Sequence, residues 1–178
     1  MQHTLTDQSL LADAHQGSAR AFEDLIGPLV EPGYRLACGM LHDSDAAKDA
    51  VQEATLKAWR KLRQVQVGEK LRPWFLGIVA NECRNARRLK WWASVSVGLP
   101  EVAQGSPEEE IVRGTDLRRA LGQLKHEDRA VVVLFFYVDL PLEEVAAILG
   151  ISPAAARARL YRSVHRLRPD IEIEEALK

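Results

Sequence analysis

The sequence predicts an all-α protein built as two small helical domains joined by a flexible linker. Three observations lead there. Apolar residues recur at helical spacing through almost the whole chain, and strand signals are nearly absent. One stretch, residues 93–115, breaks that periodicity with three glycines, two prolines and four glutamates, the composition of a linker. Finally, residues 149–168, "LGISPAAARARLYRSVHRLR", read as a tight turn followed by a helix carrying five arginines and no acid.

Helical patterns fall at residues 8–15, 18–41, 44–63, 71–92, 116–125, 127–138, 142–149 and 153–168. Ser18 and Ser44 stand where N-caps belong. Gly27–Pro28 and Pro32–Gly33 are expected to kink or split the second segment, because proline removes a donor and clashes with the preceding turn. "AVVVLFFYV" (130–138) has β propensity, but its neighbours are helical and it reads as a buried helix. The chain thus divides into residues 1–92, the linker 93–115, residues 116–168, and an acidic tail 169–178.

The second domain contains a helix-turn-helix. Pro141 opens a helix at its first position or just before it, and Glu143 and Glu144 suit the positive end of its dipole. Gly150 ends it in a position needing positive φ; Ser152 caps the next helix, and Pro153 begins it. At 100° per residue, Ala156, Leu160, Ser163, Val164 and Leu167 share a buried face. Ala154, Ala158, Tyr161, Arg162 and His165 point away from it, with Arg157, Arg159, Arg166 and Arg168 on the edges. Methyl groups allow a helix to approach base edges in the major groove, and flanking arginines reach phosphates or guanines. The plainer alternative is a helix rich in two strong helix formers.

The first domain offers two further faces. In "SDAAKDAVQEATLKAWRKL" (44–62), Ala47, Val51, Ala54, Ala58 and Leu62 form an apolar stripe. Asp49, Gln52, Glu53 and Leu56 lie off it, on a face that is either solvated or a docking surface. In "LRPWFLGIVANECRNARRLKWW" (71–92), Trp74, Ile78 and Val79 read as buried, and Asn81, Arg84, Asn85 and Arg88 share one face. Amides beside arginines suit exposed base edges and phosphates, and nearby aromatics suit unpaired bases; a solvated surface helix is the alternative.

The totals exclude several classes. At 178 residues, 47% hydrophobic and 28% charged, the composition is that of a globular chain rather than a disordered one. Net charge is only −1, but it is segregated: four acids between Asp43 and Glu53, four bases and no acid between Arg84 and Lys90. There is no transmembrane-length apolar run and no leader, so no membrane insertion and a cytoplasmic location are expected. Cys38 and Cys83 fit no CxxC spacing and read as free thiols in apolar surroundings. The histidines show no metal-ligand spacing, and no phosphate loop or nucleophile–base pair stands out. No metal, cofactor or small-molecule substrate, and no enzymatic activity, is expected.

These residues resemble the extracytoplasmic-function (ECF) group of sigma-70-type RNA polymerase sigma factors over roughly residues 8–168. In the first domain the resemblance rests on Asp49, Gln52, Glu53 and Trp59, then Arg72–Pro73–Trp74, Ile78 and Asn81. In the second it rests on Leu121, Leu124, Arg129, Leu134, Leu140, Glu144, Val145, Ala146, Leu149–Gly150–Ile151–Ser152 and Arg159–Leu160. The resemblance implies sigma domains 2 and 4, with the domains between them missing. It implies that Asp49, Gln52, Glu53, Thr55 and Trp59 dock on the β′ clamp of bacterial core polymerase, whose β flap also meets the factor. It assigns the melted −10 element to Trp74, Asn81, Arg84, Asn85 and Arg88, with Gln66, Val67 and Lys70 in a base-capturing loop, "QVQVGEK" (64–70). It assigns the −35 duplex to Ala155, Arg157, Ala158, Arg159, Tyr161 and Arg162. It also implies an anti-sigma partner, and linker glutamates that mimic nucleic acid in the RNA path.

Two features depart from the family or extend beyond it. Pro153–Ala154–Ala155–Ala156 stands where the family often has Glu-Gly-Thr-Val, so a threonine hydroxyl is missing. The tail, with Asp170, Glu172, Glu174 and Glu175, extends past the recognition helix and is expected to fold back on its arginines. Two rivals remain at this level. A DNA-binding regulator with a separate sensor domain does not explain the 44–92 block. A protein-only interaction module does not explain the arginines of 157–168.

Overall fold

A computed structural model describes the backbone of residues 2–66, 70–97 and 120–167, with side chains for 8–66, 70–89 and 120–167. Seven helices account for most of them: α1 (Gln2–His15), α2 (Ala19–Leu41), α3 (Ser44–Lys61), α4 (Leu71–Val97), α5 (His126–Val132), α6 (Leu142–Leu149) and α7 (Pro153–Leu167). A 3-10 turn, Leu62–Gln64, follows α3, and a π turn, Val133–Tyr137, extends α5. The acidic tail, Arg168, Val67 and the linker beyond Val97 lie outside the described residues. α4 continues five residues past the domain end expected at 92.

The helix ends follow local chemistry. The Ser18 side chain accepts from the Ala21 amide at 3.2 Å. α3 is capped one residue earlier than expected: Asp43, not Ser44, is the N-cap and accepts from Ala46 at 3.0 Å. The Ser44 hydroxyl instead meets the Tyr34 hydroxyl at 3.1 Å. Asp43→Ala is expected to lower stability by about 1 kcal/mol in urea denaturation, the usual worth of an N-cap carboxylate.

α2 is not split at its prolines; Pro28 and Pro32 both lie inside one helix. Asp24 and Pro28, whose carbonyls lose their helical donors, are exposed residues, so water can satisfy those acceptors. Packing maintains the helix: Leu25, Ile26, Leu36, Ala37 and Met40 are buried among α1, α3 and α4. Gly33 permits the close approach, since a Cβ there would sit 3.1 Å from Phe75 and 3.3 Å from Val79.

In the first half, the stripe Ala47, Val51, Ala54, Ala58 and Leu62 is wholly buried against Phe75, Leu76, Val79, Ala80 and Cys83 of α4. Trp74 and Ile78 are not core residues but half-exposed; the interior turn of α4 is made by Phe75 and Leu76. His15 ties α1 to the turn after α3 through the Leu62 carbonyl, at 2.9 Å. Both cysteines are free, Cys83 buried and Cys38 partly so. Desolvation pushes the Cys83 thiol up to about 12. Alkylation of the native protein at neutral pH is therefore expected to label Cys38 and spare Cys83, as peptide mass mapping would read.

In the second half, the β-prone run is helical but only partly buried as expected: Val131, Val132, Val133 and Leu134 are buried, whereas Phe136 and Tyr137 at its end are exposed. Its end widens to a π turn, with the Val138 amide bonding the Val133 carbonyl at 2.9 Å. Asp139 then takes a left-handed φ of 57°, reversing the chain into α6. Arg129 is 2% exposed yet has no carboxylate partner among the described residues; its guanidinium donates to the carbonyls of Leu121, Gly122, Leu124 and, across the halves, Gly39. Burial, with a smaller contribution from Arg87, pushes it down to about 10, so it stays charged at neutral pH.

The halves pack on each other. α2 meets α5 and the π turn, and α4 meets α6. Among the described residues, no helix is long and apolar enough to cross a membrane.

Candidate nucleic-acid interface

α7 is set by the turn before it. Gly150 takes φ 67°, and its amide closes the end of α6 on the Ala147 carbonyl. Ser152 accepts from the Ala155 amide at 3.1 Å, starting α7 at Pro153. Ala156, Leu160 and Ser163 are buried toward α5 and α6, with Val164 and Leu167 partly covered. Ala154, Arg157, Ala158, Tyr161, Arg162 and His165 are exposed, and Ala155 is intermediate. The expected outward face is therefore open. Arg159 is different: it pairs with Glu127 of α5 at 2.7 Å, so one edge of the helix is partly engaged within the fold.

On α4, Asn81 and Arg88 are exposed, while Arg84 and Asn85 are half-covered. Arg84 donates to the Asn81 side chain, and Arg88 to that of Asn85 at 3.3 Å, so amide and guanidinium groups are paired one turn apart. Arg84 also reaches the Leu149 carbonyl at 3.0 Å. Lys70 and Gln66 are exposed, and Lys70 pairs with Glu144.

Three residues escaped the sequence reading. Lys57, Arg60 and Lys61 of α3 line a groove of about 430 Å³ together with Ile78, Asn81, Glu82 and Asn85 of α4. Lys57 bridges to Glu82 at 2.5 Å. Their spacing, i, i+3 and i+4, was visible in "LKAWRKL", but only packing reveals that this edge faces Asn81.

The remaining side of α3 is open. Asp49, Gln52 and Glu53 are exposed, with Leu56 44% and Trp59 40% exposed beside them. Two partly exposed large apolar groups thus lie next to three polar ones on this face. Thr55 is partly buried and bonds the Val51 carbonyl at 2.8 Å. Trp59 stands edge-on to Phe22 at 5.0 Å, which fixes its ring. Among the described residues, no group of three or more His, Cys, Asp or Glu side chains is placed to hold a metal ion.

A helix-turn-helix with an open outward face, joined to a second helical unit bearing an amide–arginine groove, defines a two-part nucleic-acid-binding protein. Comparisons narrow the class. Family models match at Sigma-70 region 2 over residues 25–93 and Sigma-70, region 4 over residues 115–167. The RNA polymerase sigma factor CarQ of Myxococcus xanthus is 30% identical over 167 residues, covering 90% of this chain and 96% of CarQ. The ECF RNA polymerase sigma factor SigL of Mycobacterium tuberculosis is 30% identical over 145 residues, covering 76% of this chain and 80% of SigL. The sigma factor RpoE of Bartonella quintana, solved with the anti-sigma factor NepR, shares the fold with a TM-score of 0.73 at 24% identity, over 85% of this chain and 96% of that one. The chain belongs to the sigma-70 family, as an ECF RNA polymerase sigma factor. It is a non-catalytic polymerase subunit that directs transcription initiation.

Proposed function

We propose that three faces divide the work of initiation. Asp49, Gln52, Glu53, Thr55 and Trp59 on α3 dock on the β′ clamp of core polymerase, and the second half meets the β flap. α7 reads the −35 duplex through Ala155, Arg157, Ala158, Arg159, Tyr161 and Arg162. Trp74, Asn81, Arg84, Asn85 and Arg88 read the melted −10 strand, with Gln66, Val67 and Lys70 in the loop that takes a flipped base. Lys57, Arg60 and Lys61 hold that strand's phosphates along the groove. Residues 1–92 and 116–168 act as separate reading domains, and the linker spans the promoter between them. Because the strand-reading groove takes an unpaired strand, binding there biases the duplex toward opening. The work is done in the cytoplasm, and an anti-sigma protein is the expected antagonist.

The observation that carries this reading is the exposure of Ala154, Arg157, Ala158, Tyr161 and Arg162 on a helix whose opposite side is buried by its helix-turn-helix partner. The test is transcription by sigma-free bacterial core polymerase on fragmented genomic DNA, mapping 5′ ends with and without the protein. New starts sharing two upstream elements are expected. Tight duplex binding by the protein alone, without new starts, overturns the proposal.

A further inference from the structure

We propose that Glu82 reads a base: its carboxylate accepts from the exocyclic amine of an unpaired cytosine in the groove between α3 and α4, and so selects cytosine over thymine at one position of the melted strand. The proposal rests on reading that groove as the strand site.

An acid is the least expected residue there. The α3 wall carries Lys57, Arg60 and Lys61, and the α4 wall carries Ile78, Asn81, Glu82 and Asn85 at i, i+3, i+4 and i+7, which is one helix face. A carboxylate lowers the affinity of such a site for an anionic strand, the more so where little water screens it. The Glu82 side chain is only 11% exposed, and it bridges to Lys57 at 2.5 Å. Holding a lysine in place does not by itself account for the acid. Among the described residues, Arg60 and Lys61 line the same groove without a carboxylate partner.

What the groove otherwise lacks is an acceptor. Lysine and arginine only donate. The Asn81 amide oxygen already accepts from Arg84, and that of Asn85 from Arg88 at 3.3 Å, which leaves their NH2 groups as donors. Among the described residues lining the groove, Glu82 alone only accepts. Lys57 engages its Oε2, and Oε1 is the acceptor assigned to the base. Ile78, partly exposed on the same helix face, supplies apolar surface for the ring.

One carboxylate among donors changes which base fits. Cytosine carries an N4 amine where thymine carries an O4 carbonyl. The carboxylate bonds the amine and repels the carbonyl, so it acts for one base and against the other. Adenine fits less well, because ring acceptors flank its amine on both sides. Guanine offers two adjacent donors on its pairing edge, but both carboxylate oxygens are needed to take them, and Lys57 holds one.

The test uses holoenzyme, the full chain bound to bacterial core polymerase. A fluorescein-labelled single-stranded DNA pool of random sequence is selected on it and sequenced. The enriched strand is then made with cytosine or uracil at each enriched cytosine position; uracil replaces the amine by a carbonyl and adds no methyl group. Glu82→Gln keeps the size of the side chain and an acceptor for Lys57, but its amide both accepts and donates, so it serves either base. Wild type is expected to bind the cytosine strand about tenfold more tightly than the uracil strand at one position, the scale of a specific base contact. Glu82→Gln is expected to bind the two equally there, and to bind the uracil strand more tightly than wild type does. The proposal is overturned if wild type prefers cytosine to uracil at no position. It is equally overturned if Glu82→Gln keeps every such preference, or strengthens both strands by the same factor, since the acid then only masks Lys57. Failure of the strand-site reading looks different: Arg60→Ala with Lys61→Ala then leaves the affinity of every strand unchanged, whereas a strand held in this groove is weakened whichever base it carries.

Discussion

Arg129→Ala is expected to lower the stability of the chain by about 3 kcal/mol, because four backbone carbonyls lose a shared charged donor whose own side chain is buried. For a chain of this length that shifts the thermal midpoint down by roughly 6–12 °C. Leu121, Gly122 and Leu124 form the turn that leads into α5, so the loss is centred on the second half. Arg129→Lys recovers only part of it, since an ammonium group cannot fork across separated acceptors. Differential scanning calorimetry of the three proteins checks the order. Equal midpoints in wild type and Arg129→Ala would show that the carbonyls are satisfied by other means.

Ala158→Glu is expected to reduce transcription from a −35-dependent promoter by roughly tenfold or more, the scale of one lost base contact compounded by a repelled phosphate. Ala158 is exposed, and the opposite face of α7 holds the helix-turn-helix together, so circular dichroism and core binding stay at wild-type values. A promoter that melts without a −35 contact loses much less. Gel-shift affinities for the duplex, measured in parallel, separate this effect from any change in melting. If transcription is unchanged, α7 does not lie in the groove with Ala158 toward the bases.

Much of the fold was legible because its signals are local. Ser18, Gly150, Ser152 and Pro153 each act on hydrogen bonds within a few residues, and they sit where the sequence places them. The stripe from Ala47 to Leu62 is equally local, since one helical period decides which side is apolar. The misreadings share a different cause. Pro28 and Pro32 do not break α2 because packing on three neighbouring helices outweighs a local preference. Asp43 competes with Ser44 for one cap, and Tyr34, ten residues before Ser44, offers that serine another partner.

The sites divide the same way. The outward residues of α7 follow from periodicity alone. The contribution of Lys57, Arg60 and Lys61 does not, because their significance depends on α4 lying beside them. Trp74 and Ile78 looked like core residues, whereas they line the cleft facing α6. The partners that Arg72 and Arg84 find in the second half are backbone carbonyls, which every residue carries, so no sequence pattern announces them. The burial of Arg129 is hidden for the same reason.

The division of labour between α4 and α7 is tested most directly by mapping 5′ ends at base resolution with core polymerase and three proteins: wild type, Asn81→Ala and Arg162→Ala. The separate-reader proposal predicts that Arg162→Ala relaxes sequence preference in the upstream element alone, and Asn81→Ala in the downstream element alone. If either substitution relaxes both elements together, or neither changes any preference, the assignment of one reader to each half is contradicted.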